Sequence, residues 1–160
     1  MLGDKAMEVV ALLHKAIKKS YPFIHSKRLS CLLNAADSLL NNGKLTLTSL
    51  GRHLSGKAKV KHKIKKIDRL LGNDKIKNER FDFYKIMSIY AIGSRKEITV
   101  IVDWSACGNH NNHILRASLA LKHKTVTLYD EVYPEKEQNT YKAHKNFLKN
   151  LKKIIQEFKF

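Results

Sequence analysis

The sequence predicts an α+β fold in two parts, a helical first half and a second half of three strands followed by a helix. Three observations carry this. Apolar residues recur at helical spacing as far as Gly93 and fall into short strand-like runs after it. Charge is uneven: residues 1–93 hold 19 Lys and Arg against 7 Asp and Glu, residues 94–160 hold 12 against 7, and the whole chain carries +17. Residues 98–105, Ile-Thr-Val-Ile-Val-Asp-Trp-Ser, are strand formers that deliver one carboxylate, Asp103, near the end of the run. The boundary falls at Gly93-Ser94, giving a helical domain 1–93 and a mixed domain 94–160.

In the first half, a helix from about Met7 to Ser20 stops before Tyr21-Pro22, because proline disfavours helix in the residue preceding it. A second helix, about Lys27 to Leu40, presents Leu29, Leu32, Leu33, Ala36, Leu39 and Leu40 on one face. Asn41-Asn42-Gly43 ends it with residues that tolerate left-handed backbone. Thr48 or Ser49 is placed to cap a short helix running to about Leu54. Gly56 turns the chain into a helix over Ala58 to Leu71, and Gly72-Asn73-Asp74 separates that from a last helix, about Lys75 to Ile92.

In the second half the runs 98–104, 114–121 and 125–132 are joined by short connections, with Lys122-His123-Lys124 as the second turn. This predicts an antiparallel meander. From about Thr140, the residues Ala143, Phe147, Leu148, Leu151, Ile154, Ile155 and Phe158 define a helix stripe with lysines opposite. Three antiparallel strands, a helix, and a carboxylate on the first strand resemble the opening βββα of the ribonuclease-H-like fold. Buried in an apolar strand, Asp103 would cost several kcal/mol unless paired or bound to a cation. It reads either as one ligand of a Mg²⁺ site or as a cap for the following turn.

Composition narrows the partners. A hydrophobic fraction of 43% is near the globular average, which excludes a disordered basic tail. An excess of +17 points to a polyanion, with nucleic acid the usual one and an anionic membrane surface the rival. No apolar run approaches the roughly 18–20 residues of a membrane span, and Met-Leu-Gly-Asp-Lys-Ala lacks the layout of a signal peptide. Cys31 and Cys107 lie far apart, so a reducing cytoplasm is expected.

The helix over 58–71 is the most telling element of the first half. Val60, Ile64, Ile67 and Leu71 form one predicted core stripe, and Lys59, Lys61, Lys63, Lys65, Lys66 and Arg69 lie between them, with Asp68 as the sole opposing charge. Short helix, turn, basic amphipathic helix is the layout of a helix-turn-helix DNA reader. Neutralising phosphates releases condensed counterions, so Lys and Arg supply sequence-independent affinity. The candidate DNA-binding residues are Lys57, Lys59, Lys61, His62, Lys63, Lys65, Lys66 and Arg69. The alternative is a solvated lysine-rich face. A membrane helix would want Trp or Phe on its apolar side, and this one has neither.

Several stretches together resemble the DDE transposases of bacterial insertion sequences, specifically the insertion-sequence-4 family and its transposon-ten-like members. They are Lys27-Arg28-Leu29, Leu45 to Arg52, Lys61 to Asn73 (with Ile-Asp-Arg-Leu-Leu-Gly-Asn), Val102-Asp103-Trp104-Ser105, Leu115-Arg116-Ala117-Ser118 and Val126-Thr127-Leu128-Tyr129. Ile-Asp-Arg-Leu-Leu-Gly-Asn and Val-Asp-Trp-Ser at this separation are far more specific than either alone. The resemblance spans roughly residues 8–150. It implies DNA cleavage and strand transfer at a two-Mg²⁺ site of Asp, Asp and Glu, with Asp103 as the first Asp in a catalytic and metal-binding role. The family's second Asp and its Glu would fall beyond residue 160, which predicts an inactive N-terminal portion. Asp130 and Glu131 are not expected to substitute, being two strands away. A single carboxylate does not hold two octahedral cations.

Cys107, His110 and His113 superficially resemble a metal site, but their spacing is that of a hairpin loop. His62 reads as a phosphate contact or bystander, Trp104 as packing beside the strand end, and Arg116 as facing the Asp103 side or solvent. Three functions compete. The first is a transposase by descent that keeps binding to double-stranded transposon ends. The second is a non-enzymatic regulator or inhibitor of transposition, acting at the ends or by dimerising with a full-length transposase. The third is an inert product.

Overall fold

A computed structural model describes residues 2–42, 44–108 and 111–156. The fold is α+β, with helices and a three-stranded antiparallel sheet in two compact units, Met1–Arg80 and Phe81–Phe160.

The helical unit contains α1 (Leu2–Ser20), α2 (Ser26–Asn42), α3 (Leu47–His53), α4 (Val60–Leu71) and α5 (Asp74–Asn78). Pro22 stops α1 as expected, and Lys18 Nζ ties off the turn by donating to Pro22 O and Ile24 O at 3.2 and 3.0 Å. Leu29 and Leu33 of α2, Leu50 of α3, Leu54, and Ile67 and Leu70 of α4 are buried. A hydrogen bond from buried Ser38 Oγ to Leu50 O (2.8 Å) fixes α3 against α2. The cap of α3 is Thr46 rather than Thr48 or Ser49: its Oγ1 accepts from the Ser49 backbone N–H at 3.2 Å.

Gly51 is where α3 and α4 meet. A Cβ there would stand 2.5 Å from Ile64 Cα, so only glycine permits this approach. The contact also corrects the predicted face of α4. Ile64 is half-buried and Ile67 and Leu70 are buried, whereas Val60 and Leu71 are 48% and 62% exposed. Close packing against α3 turns the stripe toward Leu70. The helix expected over Lys75–Ile92 is two helices, α5 and α6 (Arg80–Ile92), separated at Glu79.

The second unit begins with α6, not at Ser94. Phe81, Tyr84 and Ile92 of α6 pack in the core of the sheet, which moves the division to Arg80/Phe81. The strands β1 (Val100–Ala106), β2 (Asn112–Leu121) and β3 (Lys124–Pro134) pair antiparallel in the order β1-β2-β3, as the short connections predict. His123 takes φ 69° in the β2–β3 turn, a conformation His tolerates better than most side chains. A bulge at Ala117/Ser118 inserts one extra residue of β3.

After a single 3-10 turn, Glu135–Glu137, α7 (Tyr141–Ile155) follows, capped by Thr140 Oγ1 accepting from Ala143 N at 3.2 Å. Its buried face, Ala143, Phe147, Leu151 and Ile154, covers Leu115, Ala117, Leu119 and Tyr129 of the sheet. Tyr129 stacks between Phe147 (4.9 Å) and Phe81 (5.7 Å). Rings of this size dominate a core because each buries about 150–250 Å².

Candidate nucleic-acid interface

In the helical unit, α3 and α4 are joined by residues 54–59, a longer turn than the three or four residues usual in a helix-turn-helix. Gly51 sets the approach of the two helices and Lys63 closes the turn, its Nζ donating to Leu54 O at 2.7 Å. Lys63, named above among the DNA contacts, is therefore half-buried and engaged with the protein backbone. Lys57, Lys59 and Lys61 are exposed around the turn and the first turn of α4.

The remaining candidates gather. His62, Lys65, Lys66 and Arg69 recur at i, i+3, i+4 and i+7, so they share one face of α4. They line one wall of a cleft of about 610 Å³, and the start of α2 supplies the other wall through His25, Lys27, Arg28 and Cys31. Leu70 and Asn73 complete the lining. The α2 wall was missed in the periodicity, because Lys27-Arg28 precedes the apolar face and has no spacing relation to α4.

Among the described residues, no Asp or Glu lines this cleft. Arg28 is held by Glu79, with Nε donating to Oε2 at 2.8 Å and the second guanidinium nitrogen to Oε1. That hydrogen bond raises the Arg28 pKa above its already high ordinary value, against the opposing effect of burial. The pair ties α2 to the end of α5 and fixes the α2 wall. Burial pushes the Cys31 thiol up, with Lys66 acting in the opposite direction. A concave surface lined by several unpaired cations and by no acid suits a phosphate backbone.

Asp103 is exposed on β1, where its Oδ1 accepts from the Trp104 backbone N–H at 2.8 Å. The expected apolar burial around it is absent because Asp103 shares its sheet face with exposed Arg116, opposite the face that α7 covers, and Ile101 and Val102 are also exposed. Register sets Asp103 opposite Arg116 and Arg116 opposite Asp130. Arg116 turns to Asp130, donating through Nε and a terminal nitrogen at 2.8 and 2.9 Å. Those bonds raise the Arg116 pKa.

Glu131 lies one position further along β3, hence on the opposite face, where it accepts from Tyr129 and Tyr133 hydroxyls at 2.7 and 3.0 Å. Trp104, half-buried, donates from Nε1 to His144 Nε2 at 3.0 Å. Among the described residues no group of three or more His, Cys, Asp or Glu is placed to hold a metal ion. A two-Mg²⁺ centre needs several oxygen ligands per ion, and Asp130, on the same sheet face as Asp103, is engaged by Arg116. Cys107 and His113 stand at the base of the β1–β2 hairpin, and His110 lies outside the described residues. No described helix is long and apolar enough to cross a membrane.

No protein-family model, curated protein or solved structure matches the chain.

Proposed function

We propose that the chain is a DNA-binding protein of transposase type, acting on double-stranded transposon ends in the cytoplasm. In this reading α3, the turn and α4 serve as a helix-turn-helix. The sheet with α7 corresponds to the first βββα of a ribonuclease-H-like domain. The observation that carries the DNA-binding role is the acid-free cleft in which Lys65, Lys66 and Arg69 face Lys27 and Arg28. The sequence resemblance supplies the transposase assignment, with Asp103 as its first catalytic Asp.

A second reading, a non-enzymatic regulator that occupies transposon ends or pairs with a complete transposase, draws on Asp130, the carboxylate on the same face as Asp103 among the described strand residues, being engaged by Arg116. Both readings share the cleft. Fluorescence anisotropy with a labelled duplex across a salt series tests it. The variant K65A/K66A/R69A should lose at least tenfold in affinity and flatten the log K against log salt slope by about 2–3, near 0.9 per lost phosphate contact. Unchanged slope and affinity in a folded variant would remove the cleft from consideration.

A further inference from the structure

The second unit holds 13 Lys and Arg and 8 Asp and Glu over residues 81–160. Helix α7 contributes five of those lysines and no acid, so the other 65 residues balance at eight against eight. The entire charge surplus of this unit lies on one helix.

Lys142, Lys145, Lys149, Lys152 and Lys153 are all exposed. At about 100° per residue they fall within an arc of about 100°, and at 1.5 Å per residue they extend over roughly 16 Å. None of the five forms an ion pair among the described residues, and Lys145 also sits 5.5 Å from the centre of the exposed Tyr141 ring.

We infer that the outer face of α7 is a second docking surface, separate from the cleft of the helical unit, for the phosphate backbone of duplex DNA. Charge complementarity carries this. One strand of duplex DNA presents a phosphate per 3.4 Å of axis, about five over the length of the stripe, matching its five ammonium groups. Lysine, a compact charge on a flexible stem, suits phosphates read without regard to base sequence. A lipid surface fits less well. The apolar face a membrane helix would insert is committed here: Phe147 and Ile154 are fully buried against the sheet, and Leu151 nearly so.

The test uses the full chain and a labelled duplex of random sequence, read by anisotropy over a salt series. The variant K142Q/K145Q/K149Q/K152Q keeps good helix formers on α7. Its control, K96Q/K122Q/K124Q/K136Q, removes the same charge from exposed positions elsewhere in the unit. Unaltered circular dichroism and Trp104 fluorescence certify that the α7 variant is folded.

The α7 variant should flatten the salt slope by about 2–4 and lose at least tenfold in affinity, well beyond the control. Equal effects of variant and control would overturn the inference and leave a solvated lysine face. So would unchanged DNA binding alongside lost binding to phosphatidylserine vesicles, which would make the partner a membrane. If K65A/K66A/R69A binds normally while the α7 variant is weakened, the cleft reading falls and this one stands. The converse result removes this one alone.

Discussion

Gly51→Ala sets two effects of opposite sign against each other. Gly51 lies within α3, so helix propensity alone favours alanine by about 0.8–1 kcal/mol. Packing opposes it. The new Cβ would meet Ile64 Cα and Cγ1 at 2.5 Å and Ile64 N at 2.8 Å, where carbon atoms prefer about 3.5–4.0 Å. Two of those three atoms are backbone, so no rotamer change relieves the clash, and α3 and α4 must part by about 1 Å.

Overpacking of this kind costs about 1–3 kcal/mol, and backbone contact places the cost toward the upper end. The net is a destabilisation of about 1–2 kcal/mol. At roughly 4–8 °C per kcal/mol for a unit of this size, the melting transition should fall by about 5–15 °C. Gly72→Ala is the internal control, because its Cβ would meet only Asp68 O at an ordinary 3.6 Å and its φ is −80°. Urea denaturation followed by circular dichroism reads both. Stabilisation by Gly51→Ala equal to that of Gly72→Ala would refute the close approach and the placement of α4 built on it.

Glu79→Gln releases Arg28, so stability should fall by about 1–3 kcal/mol while the freed guanidinium steepens the salt dependence of DNA binding by about one. Weaker DNA binding in a folded Glu79→Gln protein would contradict that. Asp103→Ala should leave stability within about 0.5 kcal/mol of the parent, since the carboxylate is exposed. It should also leave DNA affinity unchanged. In a nicking assay with transposon-end DNA and Mg²⁺ the chain by itself should yield no product, and metal-dependent product lost in Asp103→Ala would demand ligands not identified in this fold.

Burial raises the Cys31 thiol above its ordinary 9.0, so its contribution is fully present below that value and is lost as pH climbs from there through the raised folded value. Comparing urea midpoints at about pH 8 and pH 10 should show a steeper alkaline loss in the parent than in Cys31→Ala, and parallel losses would refute it.

Much of the architecture is visible in local sequence because local chemistry dictates it. Pro22 ends α1, Gly56 takes a left-handed φ of 101°, and the short connections force an antiparallel sheet. What escapes is set by long-range packing. The face of α4 depends on Gly51 meeting Ile64, thirteen residues away, and that contact buries Leu70 instead of Val60 and Leu71. The attachment of α6 to the sheet rests on Phe81 and Tyr84 reaching Tyr129, which no helical period reveals.

The site divides the same way. The lysines of α4 stand out by density, yet Lys63 is taken up by the Leu54 carbonyl, and the wall from His25 to Cys31 is brought opposite only by the tertiary fold. The run of strand formers puts Asp103 on β1, but its exposure follows from α7 covering the other face of the sheet, which an apolar run does not encode.

The bond between Trp104 and His144 gives the molecule a built-in optical label. Trp104 is the only tryptophan in the sequence, and its indole lies edge-on to Tyr133 and His144, joining β1 to α7. Emission excited at the red edge of the absorption band therefore reports the docking of α7 on the sheet and is blind to α1 through α5. Circular dichroism, dominated by helices, sees both units. Recorded on one sample during denaturation, the two signals coincide if the units melt together and separate if they do not, so cooperativity between them is measurable with no introduced dye.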